Sequence, residues 1–255
     1  FRCIEAGADD YITKPFEKSI LDARISSCME KKKLRDKERE LMQELKVERD
    51  KSEHLLLNIL PKDIAQRLKS GETDIADKHD NISIIFCDLV NFTPQAQKLN
   101  PNKLVKIVNT IFKTFDDLSK EFGIEKIKTI GDSYFAVGGL NSDKKQSAIN
   151  IIKLGKQFIK SINIVDQNTA EMDLKIRIGV HTGQIVAGVI GKNKFAYDLW
   201  GSSVNMANRL ETTCPPGRIQ ISEHTKILLG DKFNYELKEK TEIKGIGKVN
   251  TYIIV

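Results

Sequence analysis

The sequence predicts an α+β fold: a ferredoxin-like βαββαβ core with extra strands and helices, preceded by a long helix. Three observations predict it. From residue 80 onward, short apolar runs and helix-period segments open in the order strand, helix, strand, strand, helix, strand. Residues 31–53 carry nine basic and seven acidic side chains with no Gly or Pro, the pattern of one long helix. Gly131-Asp132 joins two runs that read as strands, a hairpin signal.

The elements follow in order, in three regions. Residues 1–29 read as a helix end, a short strand at 10–13, a Lys-Pro corner and an amphipathic helix, too little for a domain. Residues 30–79 read as a helical linker. Leu34, Leu41, Leu45, Leu55 and Ile59 keep a 4-3 register, while Glu38, Glu48 and Ser52 fill the seam. That pattern suits a weak parallel coiled coil or a solvated single helix. Pro61 breaks the helix, and a short second one ends at Gly71. Residues 80–255 form the globular region. It holds a strand at 82–88 ending in Asp88, a helix at 102–122 entered through Pro101, and a hairpin at 125–140. A helix at 142–162 follows, then strands at 174–181 and 184–190 joined by Thr182-Gly183. A strand at 195–199, a helix at 204–212, a strand at 218–222 and a closing pair at 233–237 and 249–255 complete it.

Composition narrows the function classes. The 255 residues are 40% hydrophobic and 30% charged, an ordinary globular balance. No apolar run reaches the length of a membrane span, so a cytoplasmic protein is expected. The chain begins at Phe1, and a longer parent protein is expected. Four cysteines, Cys3, Cys28, Cys87 and Cys214, are too scattered for zinc or a redox pair and read as reduced thiols. The net charge of +6 is spread among acids. It suits a polyphosphate ligand better than a nucleic-acid surface, and no nucleic-acid partner is expected.

Two carboxylates carry the chemistry. Asp88 ends a run that holds five apolar residues, Ile82, Ile84, Ile85, Phe86 and Cys87, where packing gives no reason for an acid. Asp132 tips the hairpin, where a turn role alone would suffice. A βαββαβ sheet sets the first strand beside the hairpin strand that follows the helix, bringing both acids to one end of neighbouring strands. Such a pair repels unless a cation lies between, and hard divalent ions with oxygen ligands leave positions open for phosphate. The pair therefore points to a two-metal phosphoryl site. Phe92 and Thr93 lie in the turn after Asp88, whose amides are placed to cradle phosphate.

The segments FCDLVNFT, KTIGDSYFAVGG, RIGVHTGQIVAGVIG, YDLWGSSVNMANRLE and EIKGIGKVNTY occur in series. Together they resemble the catalytic domain of class III nucleotidyl cyclases, and the resemblance covers residues 80–255. It implies a head-to-tail homodimer with sites at the interface, turning a nucleoside triphosphate into a 3′,5′-cyclic nucleotide and pyrophosphate. It also implies that Asp88 and Asp132 hold two Mg²⁺ or Mn²⁺ ions, assisted by the Leu89 carbonyl, and that Arg177 faces the phosphates. From the other protomer, Lys128 and Asp198 would read the base. Asn205 would orient the ribose, Arg209 would stabilise the reacting phosphate, and Lys244 would bind the terminal phosphates. A lysine donor and an aspartate acceptor complement the N1 and N6 edge of adenine, whereas guanylate cyclases usually carry Glu and Cys there. ATP is therefore the expected substrate. Asn91 departs from the small residue many relatives carry at that turn.

The remaining polar residues carry less. His181 reads as a structural hydrogen-bonding residue, and His54, His79 and His224 show no ligand spacing. Tyr134 and Phe135 read as packing, and Trp200 as core or interface. Residues 5–16, EAGADDYITKPF, resemble the closing segment of response-regulator receiver domains, with Lys14 matching a phosphate-contacting lysine and Pro15 a commonly cis proline. That resemblance implies an upstream receiver domain and its kinase as partners in a longer protein.

Overall fold

The computed structural model describes residues 7, 11–12, 14–15, 17–90, 92–96, 99–169, 174–191, 194–243 and 247–255. The chain divides into two compact units, Phe1–Gly71 and Glu72–Val255.

In the first unit, α1 (Lys18–Leu57) runs for 40 residues, about 60 Å of helix. The two helices expected on either side of residue 30 are therefore one. No Gly or Pro interrupts the chain between Lys18 and Leu57, so the hydrogen-bond ladder continues. α1 buries no side chain, and Leu34, Leu41, Leu45 and Leu55 are exposed. Tyr11 and Ile12 carry no regular structure, against the strand expected at 10–13, whose outer residues lie outside the described set. The Lys14–Pro15 bond is cis. Pro61 caps α2 (Lys62–Lys69), as its fixed φ and missing N–H allow.

The second unit runs β1 (Ala76–Leu89), α3 (Phe92–Ala96), α4 (Pro101–Glu121), β2 (Glu125–Ile130), β3 (Ser133–Gly138), α5 (Lys144–Thr169), β4 (Ile176–Ile190), β5 (Ala196–Trp200), α6 (Ser202–Thr213), β6 (Ile219–Ser222), α7 (Glu223–Leu229), β7 (Tyr235–Ile243) and β8 (Gly247–Ile254). The eight described strands form one sheet, ordered β2-β3-β1-β4-β6-β8-β7, with β5 also paired to β4. β1, α4, β2, β3, α5 and β4 make the expected βαββαβ core. Its pairings are antiparallel, and β4 pairs β6 in parallel.

Three expectations need correction. β1 lies beside β3, the second hairpin strand, rather than β2; Asp88 pairs with Ser133. The two acids still meet, because Asp132 sits in the turn that immediately precedes Ser133. The strands expected at 174–181 and 184–190 are one strand, β4, paired along nearly all of β1. Thr182 and Gly183 do not turn the chain. The Thr182 hydroxyl is 3.0 Å from the Ser83 hydroxyl inside the sheet. A Cβ on Gly183 would stand 2.4 Å from Ser203 Oγ of α6, so the glycine serves close packing. Two short helices, α3 in the turn after Asp88 and α7 between the strands at 218–222 and 233–237, are additions to the expected elements. α7 is started by Ser222, whose side chain accepts from the Thr225 amide.

Alternation along β1 splits the core in two. Ile85, Cys87 and Leu89 face α4 and α5, where Phe115 and Phe158 stack at 3.9 Å. Ile84 and Phe86 face the opposite side, where Phe86 stacks on Phe135 at 4.4 Å and Ala207 of α6 packs. Each fully buried Ile or Phe contributes about 1.5–3 kcal/mol. Tyr134 and Phe135 thus pack on opposite faces, as expected of strand neighbours. Two residues beyond Phe86 on the same face comes Asp88, so the chemistry lies on the side that α6 covers.

Candidate active site

Asp88 sits one residue from the end of β1, paired with Ser133 of β3 on one side and Arg177 of β4 on the other. Arg177 Nη2 donates to Asp88 Oδ2 at 3.0 Å. Burial pushes the Asp88 carboxyl above its ordinary value, the Arg177 hydrogen bond opposes this, and the charge of Asp132 adds to the rise. The charge of Asp132, the other acid singled out by sequence, therefore reaches Asp88.

Arg177 has a second partner that sequence reasoning missed. Its Nε lies 2.7 Å from Oε1 of Glu211, near the end of α6, a charge contact between two buried atoms that is not aligned as a hydrogen bond. Its Nη1 reaches the Thr212 carbonyl at 3.4 Å. Glu211 is only 5% exposed. Burial, reinforced by the charge of Asp88 and opposed by Arg177, pushes its carboxyl up to about 7. Gly179, two residues along β4, makes the approach possible. A Cβ there would stand 2.1 Å from the Glu211 amide nitrogen and 2.4 Å from the Ala207 carbonyl. A signal for Glu211 does exist. Ser203, Ala207, Leu210 and Glu211 are the buried residues of α6, at i, i+4, i+7 and i+8, so an acid occupies an inward helical position.

A second group forms around the hairpin. Lys128 of β2 and Asp198 of β5, 70 positions apart, make a direct ion pair. Both remain partly accessible, which leaves the lysine donor and aspartate acceptor within reach of a ligand. Asn205 and Arg209 are exposed on α6, four residues apart and so on one face. Arg209 precedes Glu211 by two residues, about 200° around the helix. Asn205 and Arg209 consequently face away from the side of α6 that holds Arg177. Leu89 ends β1 with its side chain buried, and Phe92 opens α3, half-buried. The Thr93 side chain, Asn91 and Lys244 lie outside the described residues.

His181 is a structural residue, as expected. Its Nδ1 is 2.7 Å from Ser222 Oγ, within a buried chain that continues through Thr225, Thr182 and Ser83. Burial, helped by nearby His224, lowers its pKa to about 4.

Asp88 and Asp132 fit a hard divalent cation. Both donors are oxygen, and a cation would offset the burial and the Asp132 charge that raise Asp88. No cluster of three or more His, Cys, Asp or Glu able to hold a metal exists among the described residues. Remaining ligands would have to come from backbone, water or a bound phosphate.

This site sits on a family fold. The family described as "Adenylate and Guanylate cyclase catalytic domain" matches residues 75–255, and the chain belongs to it. A membrane guanylyl cyclase of Dictyostelium discoideum is 36% identical over 205 residues, covering 80% of this chain and 14% of that protein. An adenylate cyclase of Mycobacterium tuberculosis is 36% identical over 214 residues, covering 83% and 48%. The chain thus spans less than half the length of these curated relatives. Among solved structures, the adenylyl cyclase CyaB of P. aeruginosa superposes with a TM-score of 0.68 at 25% identity, over 71% of this chain and 95% of that one. The guanylate cyclase domain of RhGC from Catenaria anguillulae, solved with GTP, gives 0.66 at 28%, over 70% and 98%. Adenylate and guanylate cyclases match at similar identity, so family membership leaves the purine open. No described helix is long and apolar enough to cross a membrane.

Proposed function

We propose that the chain is an adenylate cyclase, converting ATP to 3′,5′-cyclic AMP and pyrophosphate at sites shared between two copies. One observation carries the choice of purine: Lys128 and Asp198 stand side by side. Together they present a donor beside an acceptor, the complement of adenine N1 and its 6-amino group. Guanine offers a hydrogen at N1 and an acceptor at O6, so both groups would be mismatched. Each mismatch costs about 1–3 kcal/mol when buried.

The ribose 3′-oxygen attacks the α-phosphorus in line, the bond to the bridging oxygen of pyrophosphate breaks, and the hydroxyl proton leaves to solvent. Asn205 orients the ribose. Arg209 offers a planar fork to the α-phosphate oxygens as charge builds there. Arg177 and Lys244 meet the remaining phosphates, with the amides at Phe92 and Thr93 alongside. Asp88, Asp132 and the Leu89 carbonyl would hold two Mg²⁺ or Mn²⁺ ions, which when bound lower the pKa of the 3′-hydroxyl and neutralise the departing pyrophosphate. The orientation of α6 supports the shared site. Asn205 and Arg209 face away from the side that meets Arg177, so a second copy is the natural source of these groups for each metal pair. One structural relative, the RhoGC guanylyl cyclase domain of Blastocladiella emersonii, has been solved both as a non-canonical dimer and as a monomer.

Turnover of ATP and GTP with Mn²⁺ tests the reading. ATP should be preferred by at least about tenfold, and Lys128→Glu with Asp198→Cys should move the preference toward GTP. A wild-type preference for GTP would make the chain a guanylate cyclase instead. The relative described as a guanylyl cyclase "with converted specificity" bound to ATPαS indicates that this fold accommodates either purine. Absence of turnover with both nucleotides would leave a nucleotide-binding regulatory module.

A further inference from the structure

We infer that Glu211 is a positioning residue: it tethers the Arg177 guanidinium to α6 so that a divalent cation can take Asp88. This inference rests on the cyclase reading above and extends it to a residue with no role so far.

Arg177 stands between two carboxylates. Its Nη2 donates to Asp88 at 3.0 Å, while its Nε meets Glu211 at 2.7 Å. A cation between Asp88 and Asp132 would place positive charge against the guanidinium. Arg177 must then give up Asp88 without losing every partner, because its half-buried guanidinium and the buried Glu211 would otherwise both be left unpaired at a cost. Glu211 supplies the retained partner. Its other oxygen accepts the Thr212 hydroxyl at 3.3 Å, and its backbone is wedged against Gly179, so the carboxylate has little freedom to follow Arg177. The Thr212 carbonyl, beside Nη1, adds a second point on α6. Without the Glu211 charge, the whole fork is free to pair with Asp88 and compete with the cation.

The test is Mn²⁺ binding at about pH 8.5, where Glu211, with its pKa pushed up to about 7, is ionised, followed by electron paramagnetic resonance in the presence of 3′-deoxy-ATP, which cannot cyclise. Glu211→Gln keeps the shape and removes the charge. It should raise the half-saturating Mn²⁺ concentration about tenfold or more, the usual effect of losing a supporting partner. Glu211→Asp should restore most of the affinity. In an Arg177→Gln background, Glu211→Gln should change nothing further, since the tethered group is gone. Thermal unfolding is recorded for every variant. Lower stability with unchanged Mn²⁺ affinity in Glu211→Gln would overturn the inference, as would an equal loss with and without Arg177. Wild-type protein that binds no Mn²⁺ with nucleotide would overturn the cyclase reading itself.

Discussion

At the scale of single residues, burial decides which ionisable groups carry charge. His181 is held neutral by desolvation, with its pKa lowered to about 4. A base depressed in the folded state binds fewer protons there than when unfolded. Its contribution to stability is therefore present above the unfolded value near 6.5 and is lost as pH falls toward 4. The shift corresponds to on the order of 3 kcal/mol. His181→Gln should flatten the loss of stability between pH 6.5 and 4 in urea titrations. An unchanged slope would show that the imidazole is not held neutral. Sequence revealed some of these residues and hid others for a physical reason. Asp88 was legible because an acid after an apolar strand has no packing role. Glu211 was hidden within VNMANRLE because polar residues surround it. Its inward position becomes visible only when the register of Ser203, Ala207 and Leu210 is traced on the helix.

At the scale of elements, the site depends on how closely α6 lies on β4. Glycines set that distance. Gly179 and Gly183 face α6 atoms where a Cβ would stand at 2.1 Å and 2.4 Å respectively. Gly179→Ala would push against backbone, which cannot rotate away. It should destabilise by about 2–3 kcal/mol, or roughly 5–10 °C in Tm, and move Glu211 off Arg177. Gly155→Ala is the control, because its nearest neighbour is the flexible Ile219 Cδ1 at 3.0 Å. Equal effects of the two substitutions by differential scanning calorimetry would refute this account of the α6 seat. The same glycines explain a misreading. Thr182-Gly183 has turn chemistry, yet β1 continues opposite it and the pairing holds the strand straight through. The leucine stripe of α1 was legible from its spacing, and in the structure Leu34, Leu41, Leu45 and Leu55 are exposed; spacing carries no information about a partner.

At the scale of the whole molecule, the βαββαβ order fixes which residues meet. The sheet carries Asp88, Asp132 and Arg177 to one place and folds β5 back so that Asp198 reaches Lys128. It leaves Asn205 and Arg209 on the outward side of α6. The proposed division between two copies was legible only through the motif resemblance, because spacing along one chain does not say which copy each residue serves. The most direct measurement is complementation. Asp88→Ala and Arg209→Ala chains, each inactive alone, are co-expressed with different tags and assayed for cyclic AMP. Random pairing makes half the dimers mixed, and each mixed dimer keeps one intact site, so activity should return to about a quarter of wild type. Co-expressed chains that pair yet stay silent would contradict a site built from two copies.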